Sequence, residues 1–312
     1  MIKIGMGVSS GLLLESSETA AAGAWIIELH ELLGTTMEQP QPYGPYHILC
    51  LCTVILLTVF TSYLMRNAGP RAMRAVLVGF WLVMVSFELV EQVWASSDLI
   101  GGVLVWNYRW VLFPFQICAT GMWILPIIFH AREGKFKDAL MMYMGLYSLF
   151  GGALVILVPT TIFTPHIITN IHTLVQHGSQ IIVGVTILVN YRKKLNFRRF
   201  LSAIPVFLVC AAIAVGLNEL LYHLGVAYGN MYYEVNMFYF SHRFNNGMPI
   251  IGTLYELLPW GLFFVLYLIV FIFITFIIYF VAILSIHIAE SIRERRRVSV
   301  DAAAPDAAVE CL

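Results

Sequence analysis

A cysteine and a histidine in apolar surroundings are the two side chains of this sequence best suited to covalent chemistry. Cys118 follows Pro114 by four residues in the run FPFQICATGMW, and proline is favoured in the first turn of a helix. The spacing therefore predicts a thiol near the positive end of a helix dipole, where the nucleophilic thiolate is favoured. His177, in VQHGSQ, is a candidate general base. A cysteine activated by a histidine is the smallest nucleophilic unit for acyl transfer, whereas a lone membrane cysteine is more often a packing residue. The two residues alone leave both interpretations open.

The composition places these residues in a membrane protein. Hydrophobic residues make up 60% of the 312 residues and charged residues only 12%, whereas about a quarter of the residues of a soluble domain are charged. An ordinary soluble domain is therefore excluded. The protein is expected to be an integral, multi-pass membrane protein, in a bacterial cell membrane or an endomembrane.

Seven apolar stretches reach the length of roughly 20 residues that a transmembrane helix needs. We predict an all-α bundle of seven transmembrane helices, with spans at 47–65, 75–94, 111–130, 139–158, 172–190, 200–224 and 254–286. Residues 1–46 are predicted to form an external segment with an interfacial helix. Residues 47–286 are predicted to form the membrane domain, and residues 287–312 are predicted to form a basic, disordered cytoplasmic tail.

The distribution of basic residues predicts the orientation of these spans. Nearly all of the 18 Lys and Arg residues lie after the first, third, fifth and seventh spans, and only Lys3, Arg109 and Arg243 lie elsewhere. Short cytoplasmic loops carry the excess of basic residues in membrane proteins. The N-terminus is therefore predicted to lie outside or in a lumen, and the C-terminus in the cytoplasm.

With this orientation, the polar side chains of the spans collect in their outer halves. Such side chains are costly in hydrocarbon and usually face a protein interior or a wet cavity. We therefore predict a polar chamber that opens toward the outer side. Its candidate residues are His47, Glu88, Glu91, Gln92, Gln116, Cys118, His172, Gln176, His177, Gln180, Asn218, Glu219, His223 and Glu256. Snorkelling to the headgroups is the simpler explanation for Glu256, and hydrogen bonding between helices is the competing explanation for Asn218 and Glu219.

Five motifs resemble a known family of membrane proteins. YGPYHILCL, FPFQICATGMW, IHTLVQHGSQ, GLNELLYHLGVAYGNMYY and TLYELLPWGLFF are similar, in their order and spacing, to YwaF-type integral membrane proteins. These are related to the animal transmembrane-protein-164 lipid acyltransferases. The resemblance extends from Tyr43 to about Ile286 and so includes nearly all of the predicted membrane region.

The resemblance implies a CoA-independent lipid acyltransferase that needs no cofactor and no metal. An acyl chain would pass from a phospholipid to a lysophospholipid through a thioester on Cys118, with His177 as the base. Gln116 or Asn218 would donate to the oxyanion, and Glu88 or Glu219 would orient the imidazole. Gln180 and His47 complete the candidate site. The expected partners are these lipids and the surrounding membrane, with no nucleic acid. The long connection between Gly229 and Thr253, rich in Tyr, Phe and Asn, is predicted to be an interfacial lid.

Two other functions remain open. A transporter also needs a polar chamber with carboxylates; the sequence has no internal repeat, and its polar groups stop at mid-membrane. A transporter would be favoured if the third or fifth span were discontinuous there. A metal-dependent membrane hydrolase would gather His172, His177, His223 and Glu219 around zinc, although the sequence has no H-x-x-x-H pair. A receptor or retinal protein is disfavoured, because the seventh span has no lysine for a Schiff base and neither DRY nor NPxxY occurs.

Overall fold

The computed structural model describes residues 3–4, 17–159, 162–229, 235–244 and 251–307, and these residues are mostly helical. The helices are α1 (Ser17–Leu33), α2 (Pro45–Met65), α3 (Pro70–Ala95), α4 (Thr120–His130), α5 (Lys135–Tyr143), α6 (Leu149–Leu157), α7 (Ile167–Asn190), α8 (Phe197–Tyr228), α9 (Ile251–Leu257) and α10 (Trp260–Ala307). A π-helical segment, Met144–Ser148, joins α5 to α6, and single 3₁₀ turns lie at Trp110–Leu112 and Met237–Tyr239.

Six of these helical segments are long and apolar enough to cross a membrane, which identifies a multi-pass membrane protein. They are Pro45–Met65, Pro70–Ala95, Lys135–Leu157, Ile167–Asn190, Phe197–Ala227 and Trp260–Arg295. Each overlaps one of the seven spans predicted from the sequence. The fifth predicted span, which carries His177, is therefore one continuous helix.

The third predicted span differs from the prediction. It is α-helical only over the 11 residues of α4, and its first part consists of a 3₁₀ turn and irregular backbone. Pro114 explains part of this interruption, because proline has no N–H to donate and disfavours the α conformation in the residue before it. Placing Pro114 in the first turn of the helix that follows was therefore wrong, since that helix begins at Thr120.

Proline and glycine set the ends of several helices. α2 and α3 each begin at a proline that follows a glycine, Gly44–Pro45 and Gly69–Pro70, and proline is favoured at the first helical position. α8 begins after Asn196, whose side chain accepts a hydrogen bond from the Arg199 N–H at 3.0 Å. The same helix ends at Gly229, which has a left-handed φ of 61°, a common way to terminate a helix.

The helices α5–α6 and α7 form the centre of the bundle. Within the most apolar 18 residues of each segment, 72% of the residues are buried in Lys135–Leu157 and 61% in Ile167–Asn190. The corresponding share is 22% in the segments of α2, α3 and α10. The outer helices expose apolar side chains, such as Leu56 and Phe273, where lipid would surround them. Residues on α6 and α7 are therefore held by protein on most sides.

Short strands and α1 meet at the end of the bundle where α3 ends and α7 begins. Strands β2 (Ser97–Ile100) and β3 (Val103–Trp106) form an antiparallel hairpin, and β1 (Lys3–Ile4) pairs with β3 in parallel. The hairpin turns at Gly101 and Gly102, which both have positive φ. His30 of α1 is 2.8 Å from the Ser97 carbonyl oxygen.

Candidate functional site

Cys118 lies in a tight turn immediately before α4. The N–H groups of Ala119 and Thr120 both donate to the carbonyl oxygen of Gln116, at 2.8 and 3.0 Å. The turn places Cys118 two residues ahead of the first residue of α4. The predicted position near the positive end of a helix therefore holds, although the helix begins later than expected. The side chain is partly exposed.

The carbonyl oxygen of Cys118 is bound by two glutamines of α7. Gln180 donates its side-chain amide to this oxygen, and Gln176 approaches it at 3.5 Å. Both glutamines are buried, and each has a side-chain oxygen with no hydrogen-bond partner among the described residues. Because His177 lies between them on α7, the helix that carries the candidate base also holds the backbone of the candidate nucleophile.

Two adjacent glycines on α6 allow the backbones of both candidate residues to pack closely. A Cβ atom on Gly151 would lie 3.3 Å from the Cα of Cys118, and one on Gly152 would lie 2.6 Å from the carbonyl oxygen of His177. Cys118 and His177 therefore contact neighbouring positions of one helix. These two glycines were not among the site residues predicted from the sequence. Their signal is FGGA in an apolar span, because small residues mark close helix packing in membranes.

One ring nitrogen of His177 is fixed by a backbone contact. Its Nδ1 lies 2.8 Å from the carbonyl oxygen of Thr173, one turn earlier on α7. A carbonyl oxygen only accepts hydrogen bonds, so Nδ1 carries the proton that is donated to it. In the neutral ring, Nε2 is then the acceptor. His177 thus has the tautomer that a general base needs.

A second polar cluster joins α3 to the first turns of α7. His172 Nε2 is 3.0 Å from a carboxylate oxygen of Glu88, and His172 Nδ1 contacts a carboxylate oxygen of Glu91. Gln92 donates to the other oxygen of Glu88 at 2.8 Å. Glu88 is buried and interacts electrostatically with both Cys118 and His177. The cluster therefore places a carboxylate, Glu88, within electrostatic reach of Cys118 and His177, and the His172 imidazole within reach of His177.

This cluster is also where the described residues come closest to a metal-ligand set. One potential ligand atom from each of Glu88, Glu91 and His172 lies within 4.8 Å of the others. Each imidazole nitrogen of His172 already faces a carboxylate, so an ion bound there would replace one of these contacts. The zinc grouping considered from the sequence does not form among the described residues, because Glu219 and His223 lie in a different cluster.

Gln116 and Asn218 bind the backbone of the connection that follows α8. Gln116 donates to the Asn236 carbonyl oxygen at 2.9 Å and accepts from the Phe238 N–H at 2.7 Å. Asn218 donates to the Met237 carbonyl oxygen at 3.1 Å and accepts from the Met237 N–H at 2.6 Å. Both amides thus hold one backbone segment, and this geometry favours an anchoring role over the predicted donation to an oxyanion.

The segment Asn236–Phe240 passes through the protein interior beside Cys118. Met237, Phe238 and Phe240 are fully buried, and Phe238 and Tyr239 have left-handed φ values of 57° and 58°. Two consecutive residues of this kind are strained, and the amides of Gln116 and Asn218 hold them in place. Tyr239 interacts electrostatically with Cys118. Residues 236–240 of the predicted lid therefore form a wall of the site, while residues 230–234 and 245–250 of it lie outside the described residues.

Two other predicted site residues have their polar contacts elsewhere. Glu219 is one-third exposed, forms an ion pair with Arg243 at 2.9 Å and has a carboxylate oxygen 3.0 Å from His242 Nδ1. His47 is buried; its Nε2 is 2.8 Å from the Ile156 carbonyl oxygen, and its Nδ1 accepts from the Tyr43 N–H at 2.9 Å. His47 therefore ties the start of α2 to the end of α6. Of the predicted set, the structure places Gln116 in the turn that carries Cys118 and Gln180 against it, His177 on the same helix as Gln180, and Glu88 in the adjoining cluster with His172.

The sequence model of the TMEM164 family matches residues 42–283. No curated protein matches the chain, and no solved structure matches it.

Proposed function

The chain belongs to the TMEM164 family, and from this membership and the geometry around Cys118 we propose that it is a membrane-embedded lipid acyltransferase. The observation that most supports the proposal is the hydrogen bond from His177 Nδ1 to the Thr173 carbonyl oxygen, at 2.8 Å. It leaves Nε2 as the proton acceptor of a histidine whose backbone carbonyl packs on the same glycine pair as the backbone of Cys118.

The proposed reaction has two steps with a covalent intermediate. His177 Nε2 takes the proton of the Cys118 thiol, and the thiolate attacks the ester carbonyl carbon of a phospholipid. The ester bond breaks, the lysophospholipid leaves with the proton from His177, and the acyl chain remains as a thioester on Cys118. In the second step His177 takes the hydroxyl proton of another lysophospholipid. The oxygen attacks the thioester, and the thiol is restored.

Within the cluster of Glu88, Glu91 and His172, Glu88 supplies the electrostatic support in this mechanism, whereas a protonated His172 opposes it. His177 becomes positively charged each time it takes a proton, and Glu88 interacts with it electrostatically. A nearby carboxylate stabilises an imidazolium. His172, held by carboxylates through both of its nitrogens, acts as a positioning residue for Glu88.

The proposal is tested by acyl exchange between phospholipid and lysophospholipid in reconstituted vesicles. Cys118→Ala should abolish exchange, and Cys118→Ser should reduce it nearly as far, because a hydroxyl is far less acidic than a thiol. Cys52→Ala is the matched control, since Cys52 is exposed on α2, and it should retain full exchange. Acyl exchange by the Cys118→Ser variant at the wild-type rate would contradict the acyltransferase function.

One observation favours a transporter as the second candidate. The third predicted span is interrupted before Thr120, and transporters place broken helices at their substrate sites. A transporter would tolerate Cys118→Ser, because the substitution preserves size and polarity. Solute uptake that depends on Glu88 in vesicles, together with unchanged lipid chemistry in Cys118→Ser, would support transport.

We further propose that α4, with the irregular residues before it, completes a third crossing, so that the chain crosses the membrane seven times. The basic ends of the helices would then face the cytoplasm. A reporter fused after residue 307 should be cytoplasmic, and one fused at the N-terminus should be external. A cytoplasmic N-terminus would contradict this topology and the outward-facing site.

A further inference from the structure

A separate cavity of about 120 Å³ lies at the opposite end of the bundle from Cys118. It is bounded by α3, α4, α5 and the end of α7, where Asn190 forms part of its wall. Asn190 is 13 residues beyond His177 on α7, a distance of about 20 Å at roughly 1.5 Å per helical residue. The cavity is therefore separate from the candidate catalytic site.

Three basic side chains converge on this cavity from different parts of the chain. Arg74 comes from α3, Lys137 from α5 and Lys194 from the connection between α7 and α8. Lys137 is mostly buried and pairs with Glu133 at 2.7 Å, the acidic residue of the lining. Arg74 and Lys194 are exposed, and neither forms an ion pair with a described residue. The rim therefore carries excess positive charge.

The floor of the cavity is apolar. Met73, Leu77, Ile128, Phe129 and Met141 line it, and all five are buried. A basic loop whose charges only face water would not need such a floor. The combination of cationic rim and apolar floor matches an amphiphile with a negatively charged head.

We infer that this cavity binds the phosphate-bearing headgroup of an anionic membrane lipid, with Arg74 and Lys194 contacting the phosphate. Arginine and lysine bind phosphate through charge-assisted hydrogen bonds, and basic pockets between transmembrane helices bind anionic headgroups. The apolar floor takes the part of the lipid nearest the head. Free inorganic phosphate shares the charge but would gain nothing from this floor.

The test measures thermal unfolding of the full chain in a neutral detergent, with added short-chain phosphatidylglycerol, phosphatidylcholine or inorganic phosphate. Phosphatidylglycerol should raise the unfolding midpoint saturably and more than either of the others at equal concentration. No effect of phosphatidylglycerol, or an equal effect of phosphatidylcholine, would overturn the inference. An equal effect of inorganic phosphate would show a phosphate site rather than a lipid site. Acyl exchange is not part of the readout, so this result is independent of the proposed enzyme.

Matched variants locate the binding site. Arg74→Gln with Lys194→Gln should weaken the apparent affinity for phosphatidylglycerol at least tenfold. Arg71→Gln with Lys193→Gln removes the same two residue types from neighbouring exposed positions outside the lining and should leave the affinity unchanged. Equal losses in both variants would show general surface attraction and refute the pocket. Should the first variant not fold, native mass spectrometry of the wild type must show retained phosphatidylglycerol in preference to phosphatidylcholine; no preference would refute the inference.

Discussion

Gln180 of α7 donates its side-chain amide to the backbone carbonyl oxygen of Cys118. Because Gln180 is three residues beyond His177 on the same helix, the candidate nucleophile and the candidate base are positioned by one element. Movement of α7 would carry the base and pull on the backbone of the nucleophile together. Their relative position then depends on a side-chain amide, which substitution can remove.

Gln180→Leu should lower acyl exchange and the free energy of unfolding, because it leaves the buried carbonyl oxygen of Cys118 with only the longer contact from Gln176. A lost hydrogen bond that leaves a buried partner unsatisfied costs about 1–3 kcal/mol. Gln176→Leu is the matched control and should cost less, since its contact is 3.5 Å long. Denaturant unfolding in detergent measures both; a larger cost for Gln176→Leu would contradict the assigned bond.

Gly152→Ala should destabilise the protein and reduce the rate of acyl exchange. The new Cβ would lie 2.6 Å from the His177 carbonyl oxygen, a backbone atom that cannot turn away. Overpacking of this kind typically costs about 1–3 kcal/mol. Gly79→Ala provides the comparison, because a Cβ at Gly79 meets no heavy atom within 4 Å. The thermal midpoints of the two variants should differ clearly, and similar midpoints would show that α6 and α7 are less closely packed.

A lipid-like electrophile should label Cys118 faster than Cys50, Cys52 and Cys210, which lie within helices. Cys50 and Cys210 are buried, but Cys52 is exposed, so access alone would favour Cys52. Activation by His177 should therefore be visible as a loss of Cys118 labelling in His177→Ala, by about a hundredfold, while Cys52 labelling stays constant. Mass spectrometry after timed labelling measures both rates. Equally slowed labelling of Cys118 and Cys52 in His177→Ala would indicate a general change of the fold.

Asn218→Ala should release the strained segment beside Cys118. It removes both hydrogen bonds to the buried backbone of Met237, with an expected cost of about 1–3 kcal/mol. Hydrogen exchange should become faster over residues 236–240. Glu219→Gln, one position along α8, removes charge from a partly exposed ion-pair group and should cost at most about 1 kcal/mol. Unchanged hydrogen exchange over residues 236–240 in Asn218→Ala would contradict the anchoring role.

The positions of most helices could be predicted from the sequence, because a long apolar run fixes the length of a membrane helix. The predicted spans 172–190 and 200–224 fall within α7 and α8. The broken third span could not be recognised this way. Its residues before Thr120 are as apolar as those after it, and hydropathy does not report where backbone N–H groups find their acceptors. Family membership was confirmed by the match over residues 42–283.

The roles of individual polar residues were harder to predict, since depth in the membrane does not define a partner. Gln116 and Asn218 lie at the predicted depth, but their partner is a connection that folds back into the bundle. Glu91 and His172 were placed in the chamber without a specific contact, and the structure joins them. The spacing of Glu88 and Glu91, three apart on one helix, was the available signal for a shared face.

The 11 residues of α4 have a consequence for how the protein is made. At about 1.5 Å per residue the helix is roughly 16 Å long, about half of the 30 Å hydrocarbon thickness. A segment of that length does not cross a bilayer by itself, and the irregular backbone before it needs protein or water for its hydrogen bonds. Gln180 donates to the Cys118 carbonyl oxygen of this backbone, and the Gln116 side chain binds the carbonyl oxygen of Asn236; both partners come later in the chain. During synthesis, the turn that carries Cys118 can therefore reach its final position only after α7 and the connection beyond α8 have emerged from the ribosome.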